Sequence, residues 1–363
     1  MPLPALNWVA IMDTKSKIEI GAFPIAKILV AMGMLFFLTQ ACQPDTELNI
    51  QSEPSPLLIS INHFPEMSLE EGKELTEEAI AAGKALFFDP ILSRNRDLSC
   101  SSCHLTHLAF SDGRAVAIGT EGRLHNRNSP TLFNVAWQPY LFMDGGNPTL
   151  ESQVIGPIEE HREMDLPYSE AITRVAAVDY YQELFQRAFK EDVNPKTLAL
   201  ALATYERALV SFNSPFDRYE YAGDASALSP AQKRGLALFK SAELNCVACH
   251  VLPLTTDFSF QNNGLYEVYE DPGRARVTNN IPEHEGQFKV ATLRNIALTG
   301  PYMHDGSLGS LEEVVDHYAS GGSNHRLKSS LITGFSISAQ EKADLISFLE
   351  ALTDTTSYKA YMP

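Results

Sequence analysis

Four of the five cysteines in this 363-residue chain stand in two C-x-x-C-H pentapeptides, Cys100-Ser101-Ser102-Cys103-His104 and Cys246-Val247-Ala248-Cys249-His250. That is the pattern by which a chain attaches c-type haem: two thioethers form with the vinyl groups, and the following histidine ligates iron. C-x-x-C alone also serves zinc sites and redox dithiols, but a histidine directly after the second cysteine, twice, argues against zinc. Two covalently held irons restrict function to redox chemistry. They also constrain the fold, because a haem supplies much of a small domain's apolar core and lets long irregular connections wrap it.

Residues 1–42 read as an export segment. Lys15, Lys17 and Lys27 precede an apolar run from Ile28 to Leu38, suited to a signal sequence and too short to span a bilayer. Thr39-Gln40-Ala41-Cys42 resembles a bacterial lipoprotein cleavage site, with Leu38 one position further from the cysteine than usual. The expectation is a lipid anchor at Cys42; the alternative is an ordinary cleaved signal that leaves Cys42 a spare thiol. Export to the periplasm also fits c-type haem, which bacteria attach outside the cytoplasm. Residues 43–70, rich in Pro, Ser and Glu, look like a tether. The net charge of −17 disfavours nucleic-acid binding. An acidic surface could steer a basic electron-donor protein, or simply provide solubility.

The remainder contains a diverged repeat. Gly83-Lys84-Ala85-Leu86-Phe87 precedes the first haem motif, and Gly235-Leu236-Ala237-Leu238-Phe239 precedes the second. Each closes a helical pattern, over 70–88 and 229–240. Ser229, Pro230 and Gln232 form a capping-box signature, and similar boxes open helices at Ser310-Leu311-Glu312-Glu313 and Ser338-Ala339-Gln340-Glu341. Pro195 to Val210 also has helical spacing, and strand signals are sparse. The predicted fold is all-α: two cytochrome c-like domains, residues 71–225 and 226–363, each wrapped around one haem.

Further motifs resemble one family over about Glu71 to Leu352. They are Arg127-Asn128-Ser129-Pro130-Thr131 with Asn134, the stretch Gln153 to Met164, Leu293-Arg294-Asn295, and Pro301-Tyr302-Met303-His304-Asp305-Gly306. Together these resemble the bacterial di-haem cytochrome c peroxidases and their MauG-type relatives.

The resemblance implies that the first haem, with His104 as proximal ligand, is the peroxide site. In many family members a histidine sixteen residues after that ligand blocks the iron until the partner haem is reduced. Here that residue is Thr120, and a hydroxyl is a poor ligand for haem iron, so the site is expected to be open. His107 is too near His104 to cross the haem easily; His125 is the remaining competitor, with a loop histidine as its plain alternative. The match assigns Gln153 and Glu163 to the distal side. Glu163 would move a proton between the peroxide oxygens, help typically worth ~10²–10⁴ in rate, while Gln153 orients peroxide or water. Without the match, a Glu in Glu159-Glu160-His161-Arg162-Glu163 reads as a solvated face.

For the second haem, His250 is the implied proximal ligand. The family's distal methionine lies fourteen residues after the histidine of H-D-G, which here gives Tyr318, a tyrosine as in MauG-type relatives. His317, Met303 and His304 are the near alternatives. The resemblance also implies calcium held by Asn128, Thr299 and Pro301. One departure stands out: the family's tryptophan between the haems is Met143 here. Trp137, Tyr140, Phe142 or Tyr302 must then shorten the gap, or the haems couple weakly.

The expected function is an exported peroxidase that reduces hydrogen peroxide with electrons from a small cytochrome c or copper protein. A MauG-type oxidase acting on tyrosine or tryptophan of a partner protein is the first rival. A non-catalytic electron-transfer cytochrome is the second, and Thr120 argues against it. Family members are often dimers, so a homodimer is an implied state.

Overall fold

In α7 (Pro195–Ala208) nearly every side chain is buried, and the helix is entered through a capping box in which Asn194 accepts from the Lys196 and Thr197 amides. It ends at Ala208, two residues short of the predicted limit, because Leu209 leaves helical geometry and donates its amide to Glu206 O. The helix before the first haem motif, α1 (Glu77–Phe88), starts later than its pattern suggested: Thr76 takes the cap, its hydroxyl accepting from Ala79. The capping boxes at Ser229, Ser310 and Ser338 open α9 (Pro230–Phe239), α10 (Leu311–Ser320) and α11 (Ala339–Glu350), as read from the sequence.

This computed structural model describes residues 63–67, 69, 73–357 and 359, all within one unit spanning Ile50–Pro363. The export segment with Cys42, and most of the tether, lie outside the described residues. Short helices α2 (Cys100–Cys103), α3 (Leu150–Gln153), α4 (Ile155–Glu159), α5 (Tyr168–Ala176), α6 (Asp179–Phe189) and α8 (Pro215–Glu220) complete the set. The described strands are one two-residue pair, β1 (Phe260–Gln261) antiparallel to β2 (Phe288–Lys289). Among the described residues no helix is long and apolar enough to cross a membrane.

The repeat has a structural meaning. A Cβ on Gly83 of α1 would lie 2.0 Å from Ala201 O of α7; one on Gly235 of α9 would lie 2.0 Å from Asp344 O of α11. In both halves the glycine of G-x-x-L-F is where two helices cross backbone to backbone, which leaves no room for a side chain. The following Leu86 and Phe87, and Phe239, are then fully buried in the apolar cores of their halves.

Two arginines from the sequence motifs join these halves. Arg294 is wholly buried and forks onto Asp217 (2.9 and 2.7 Å), also donating to Pro253 O and Ser211 O. Burial alone would raise the Asp217 carboxyl, but Arg294 and the Ser214 bonds hold it below its ordinary value. Removing one partner of such a pair costs about 3–5 kcal/mol, because it strands the other charge. Arg127 bonds Asp144 at 2.7 Å and forks onto Asp271 at 2.6 and 2.9 Å, while Arg276 reaches Asp144 at 2.6 Å. The R-N motifs are therefore structural clamps.

Candidate functional site

Both C-x-x-C-H motifs fold alike. His104 donates its amide to Cys100 O, and His250 to Cys246 O, each at 3.0 Å. The imidazole Nδ1 of His104 lies 2.8 Å from Phe110 O, and that of His250 lies 3.0 Å from Thr255 O. A carbonyl only accepts, so Nδ1 carries the proton and Nε2 keeps its lone pair. That is the tautomer an iron ligand requires, oriented by its backbone partner. Cys100, Cys103, Cys246 and Cys249 are free thiols, half-buried; burial, ahead of nearby acids and the sister thiol, pushes Cys103 and Cys246 up to about 11. Two reduced thiols beside a pre-set Nε2, twice over, fit covalent c-type haem.

Around the first motif the structure brings Thr120 and Glu163 together. Gly119 permits this, since a Cβ there would lie 2.0 Å from Arg162 O. Thr120 donates its amide to Glu163 O at 2.8 Å and its hydroxyl to Met164 O at 3.4 Å. The hydroxyl is turned into the protein and fully buried. The Glu163 carboxylate helps raise the Cys100 and Cys103 thiols, so its charge acts on this motif. Burial first, and repulsion from Glu160 second, push Glu163 itself up to about 7. Gln153 ends α3, and its side-chain amide makes no hydrogen bond to the described residues.

The competing histidines are accounted for. His107 is exposed. His125 Nδ1 accepts the Arg127 amide at 3.1 Å, and its Nε2 lies 3.4 Å from Glu163 Oε1. Its Nδ1 is engaged and its Nε2 lies within ion-pair distance of a carboxylate, so it is not a loose loop residue.

Around the second motif, Tyr318 lies on α10, half-buried. Burial raises its phenol, with smaller contributions from the charges of Cys249 and Cys246, while a hydrogen bond with the Asn263 side chain opposes the rise. The same asparagine occupies two of the alternatives. Its Nδ2 donates to Met303 Sδ at 3.2 Å, and its carbonyl oxygen lies 3.1 Å from His317 Nε2. His304 stacks on Phe288 with ring centroids 4.1 Å apart. Asn263 had no signal in the sequence, because nothing local links it to residues 303, 317 and 318.

Asn128, Thr299 and Pro301 carry oxygens suited to a hard cation. Asn128 uses its amide nitrogen on Arg114 O (2.7 Å), and its Oδ1 accepts no bond from the described residues. The carbonyls of Thr299 and Pro301 likewise accept none among the described residues. The described residues hold no His, Cys, Asp and Glu group suited to a metal.

The aromatics that could stand in for the missing tryptophan each have a defined place. Trp137 donates its indole N–H to Pro65 O (2.9 Å) and packs against Phe64. Phe142 closes over Gly156, Tyr302 donates to Ile296 O, and Tyr140 lies beside Arg274. The Met143 carbonyl accepts from the Lys289 amide at 2.7 Å, which ties it to β2.

The profile of the di-haem cytochrome c peroxidase family matches residues 77–226. The chain is 41% identical over 281 residues to methylamine utilization protein MauG of Methylorubrum extorquens, covering 77% of this chain and 79% of that one. It is 36% identical over 323 residues to cytochrome-c peroxidase IdrP1 of a Pseudomonas strain, covering 80% and 84%. A crystal structure of a MauG-like protein associated with microbial copper homeostasis superposes with a TM-score of 0.76 at 34% identity, over 82% of this chain and 95% of that one. The family implies two c-type haems and peroxidase-type redox chemistry. With these relatives matched over most of their length, the chain belongs to the di-haem cytochrome c peroxidase and MauG family.

Proposed function

We propose that this protein is an exported, periplasmic di-haem peroxidase that reduces hydrogen peroxide to water, taking two electrons singly from a small cytochrome c or copper protein and two protons from solvent. The observation that carries this reading is the pairing at the first motif: a buried threonine hydroxyl turned away to Met164 O, and beside it a carboxyl held near pH 7. When bound there, the haem supplies the iron centre at which the peroxide O–O bond is cleaved. Glu163 takes the proton from the inner peroxide oxygen and returns it to the outer one, which leaves as water. Gln153, its amide uncommitted, orients the peroxide. Thr120 leaves the position uncontested. Each half of the chain would hold one haem, the first through Cys100, Cys103 and His104, the second through Cys246, Cys249 and His250, with Tyr318 as a further ligand to the second. Asn128 Oδ1 and the Thr299 and Pro301 carbonyls hold calcium.

A second reading has one specific observation in its favour. Tyr318 beside the second cysteine pair, with Asn263 occupying Met303 and His317, supports the MauG-type chemistry of a protein-modifying oxidase.

Electron paramagnetic resonance of the ferric protein tests the asymmetry: one high-spin and one low-spin haem are expected, and two low-spin signals would refute an open first site. Glu163→Gln should keep both haems and lose about 10²–10⁴ in peroxide turnover; unchanged turnover would remove its acid–base role.

A further inference from the structure

His125, like His104, has a tautomer that can be read from its partners, but with the opposite nitrogen protonated. The Arg127 amide can only donate, so Nδ1 must be the acceptor and the ring proton sits on Nε2, which faces Glu163 Oε1 at 3.4 Å. Arg127 is itself immobilised by Asp144 and Asp271 from the two halves of the molecule, so the ring is pinned at its rear. The arrangement also keeps the ring neutral. Burial lowers its proton affinity and outweighs a backbone hydrogen bond at Arg127 that raises it. The charged groups around it are Glu160, which favours the cation, and Arg127 and Arg162, which disfavour it.

A cleft of about 480 Å³ lies beside this pair, lined by His125, Asn126, Glu160, His161, Arg162 and Arg276. Its basic residues and water compete for any carboxylate that can turn towards them. An N–H that holds one carboxylate oxygen prevents that turn and leaves the other oxygen free.

We propose that His125 is a positioning residue: its Nε2–H anchors Oε1 of Glu163 so that the remaining carboxylate oxygen serves peroxide. The inference rests on the reading of Glu163 given above. A neutral donor stabilises the carboxylate over the acid, so it also sets the pH at which Glu163 can act as a base.

The test uses the di-haem holoprotein and three variants, H125A, H125Q and E163Q. Difference infrared spectroscopy follows the protonated carboxyl band that E163Q abolishes. In H125A the midpoint of that band should rise by about one unit, the size of one lost hydrogen bond, and the acid limb of turnover should move with it. H125Q retains an N–H donor and should restore most of the shift. A midpoint unmoved in H125A, or H125Q displaced as far as H125A, would overturn the inference. Unchanged turnover in E163Q would instead overturn the role of Glu163, and the infrared midpoint still reports whether His125 holds it.

Discussion

The two C-x-x-C-H motifs share the bonds that set their histidines and differ in what lies near them. Each sets its histidine with Nδ1 on a carbonyl, and each follows a helix whose glycine crosses a partner helix so closely that a Cβ there would lie 2.0 Å from a backbone oxygen. Near the first stand Thr120, with its hydroxyl spent on Met164 O, and a carboxyl near neutrality. Near the second stand a phenol and an asparagine that engages three candidate groups at once. The repeated segments have thus kept their means of attachment and differ in the residues brought near it. Attachment depends on a few contiguous residues, whereas an open or closed iron depends on a single side chain brought from afar.

The largest expected effect comes from erasing that difference. Thr120→His should return a strong ligand to the first iron, convert its high-spin signal to low-spin, and make turnover depend on prior reduction of the partner haem. A surviving high-spin signal would mean that the loop around Gly119, and not residue 120, keeps the site open.

The two sites should also separate by pH. Glu163 must be ionised to accept the first proton, and its affinity is raised to about 7, so it is the acid below that pH. Turnover should fall about tenfold per pH unit well below 7, whereas spectra of the second haem stay constant across the same range. A flat profile between pH 5 and 8 would contradict the general-base assignment.

The smallest effect tests what the halves share. Gly83→Ala and Gly235→Ala each force a methyl against a backbone carbonyl and should destabilise the protein by about 1–3 kcal/mol, read by denaturant unfolding of the holoprotein. Comparable losses are expected in the two halves. A loss confined to one would show that the crossings are not equivalent.

Much of this was legible in the chain. Haem attachment was readable because its chemistry lies within five residues, and the capping boxes because a cap is made by residues three apart. The repeat was visible as G-x-x-L-F, although its cause, a helix crossing, was not. Helix ends were misjudged where one residue decided them, Thr76 for α1 and Leu209 for α7. The candidate site was only partly legible. Glu163 stood in a charged run that looked solvated, and His125 could be weighed only as ligand or loop, since 38 residues separate it from its partner.

The sequence by itself determined the cofactor class, the mostly helical build and the candidate residues, because each depends on local spacing. Only the tertiary structure decided which way Thr120 turns, which tautomer His125 adopts, and that Asn263 occupies Met303 and His317 beside Tyr318. Thr120 and Asn263 meet hydrogen-bond partners at least 40 residues away, and the Arg127 amide reaches the His125 ring only once their loop has folded, so none of these pairings is marked in local spacing.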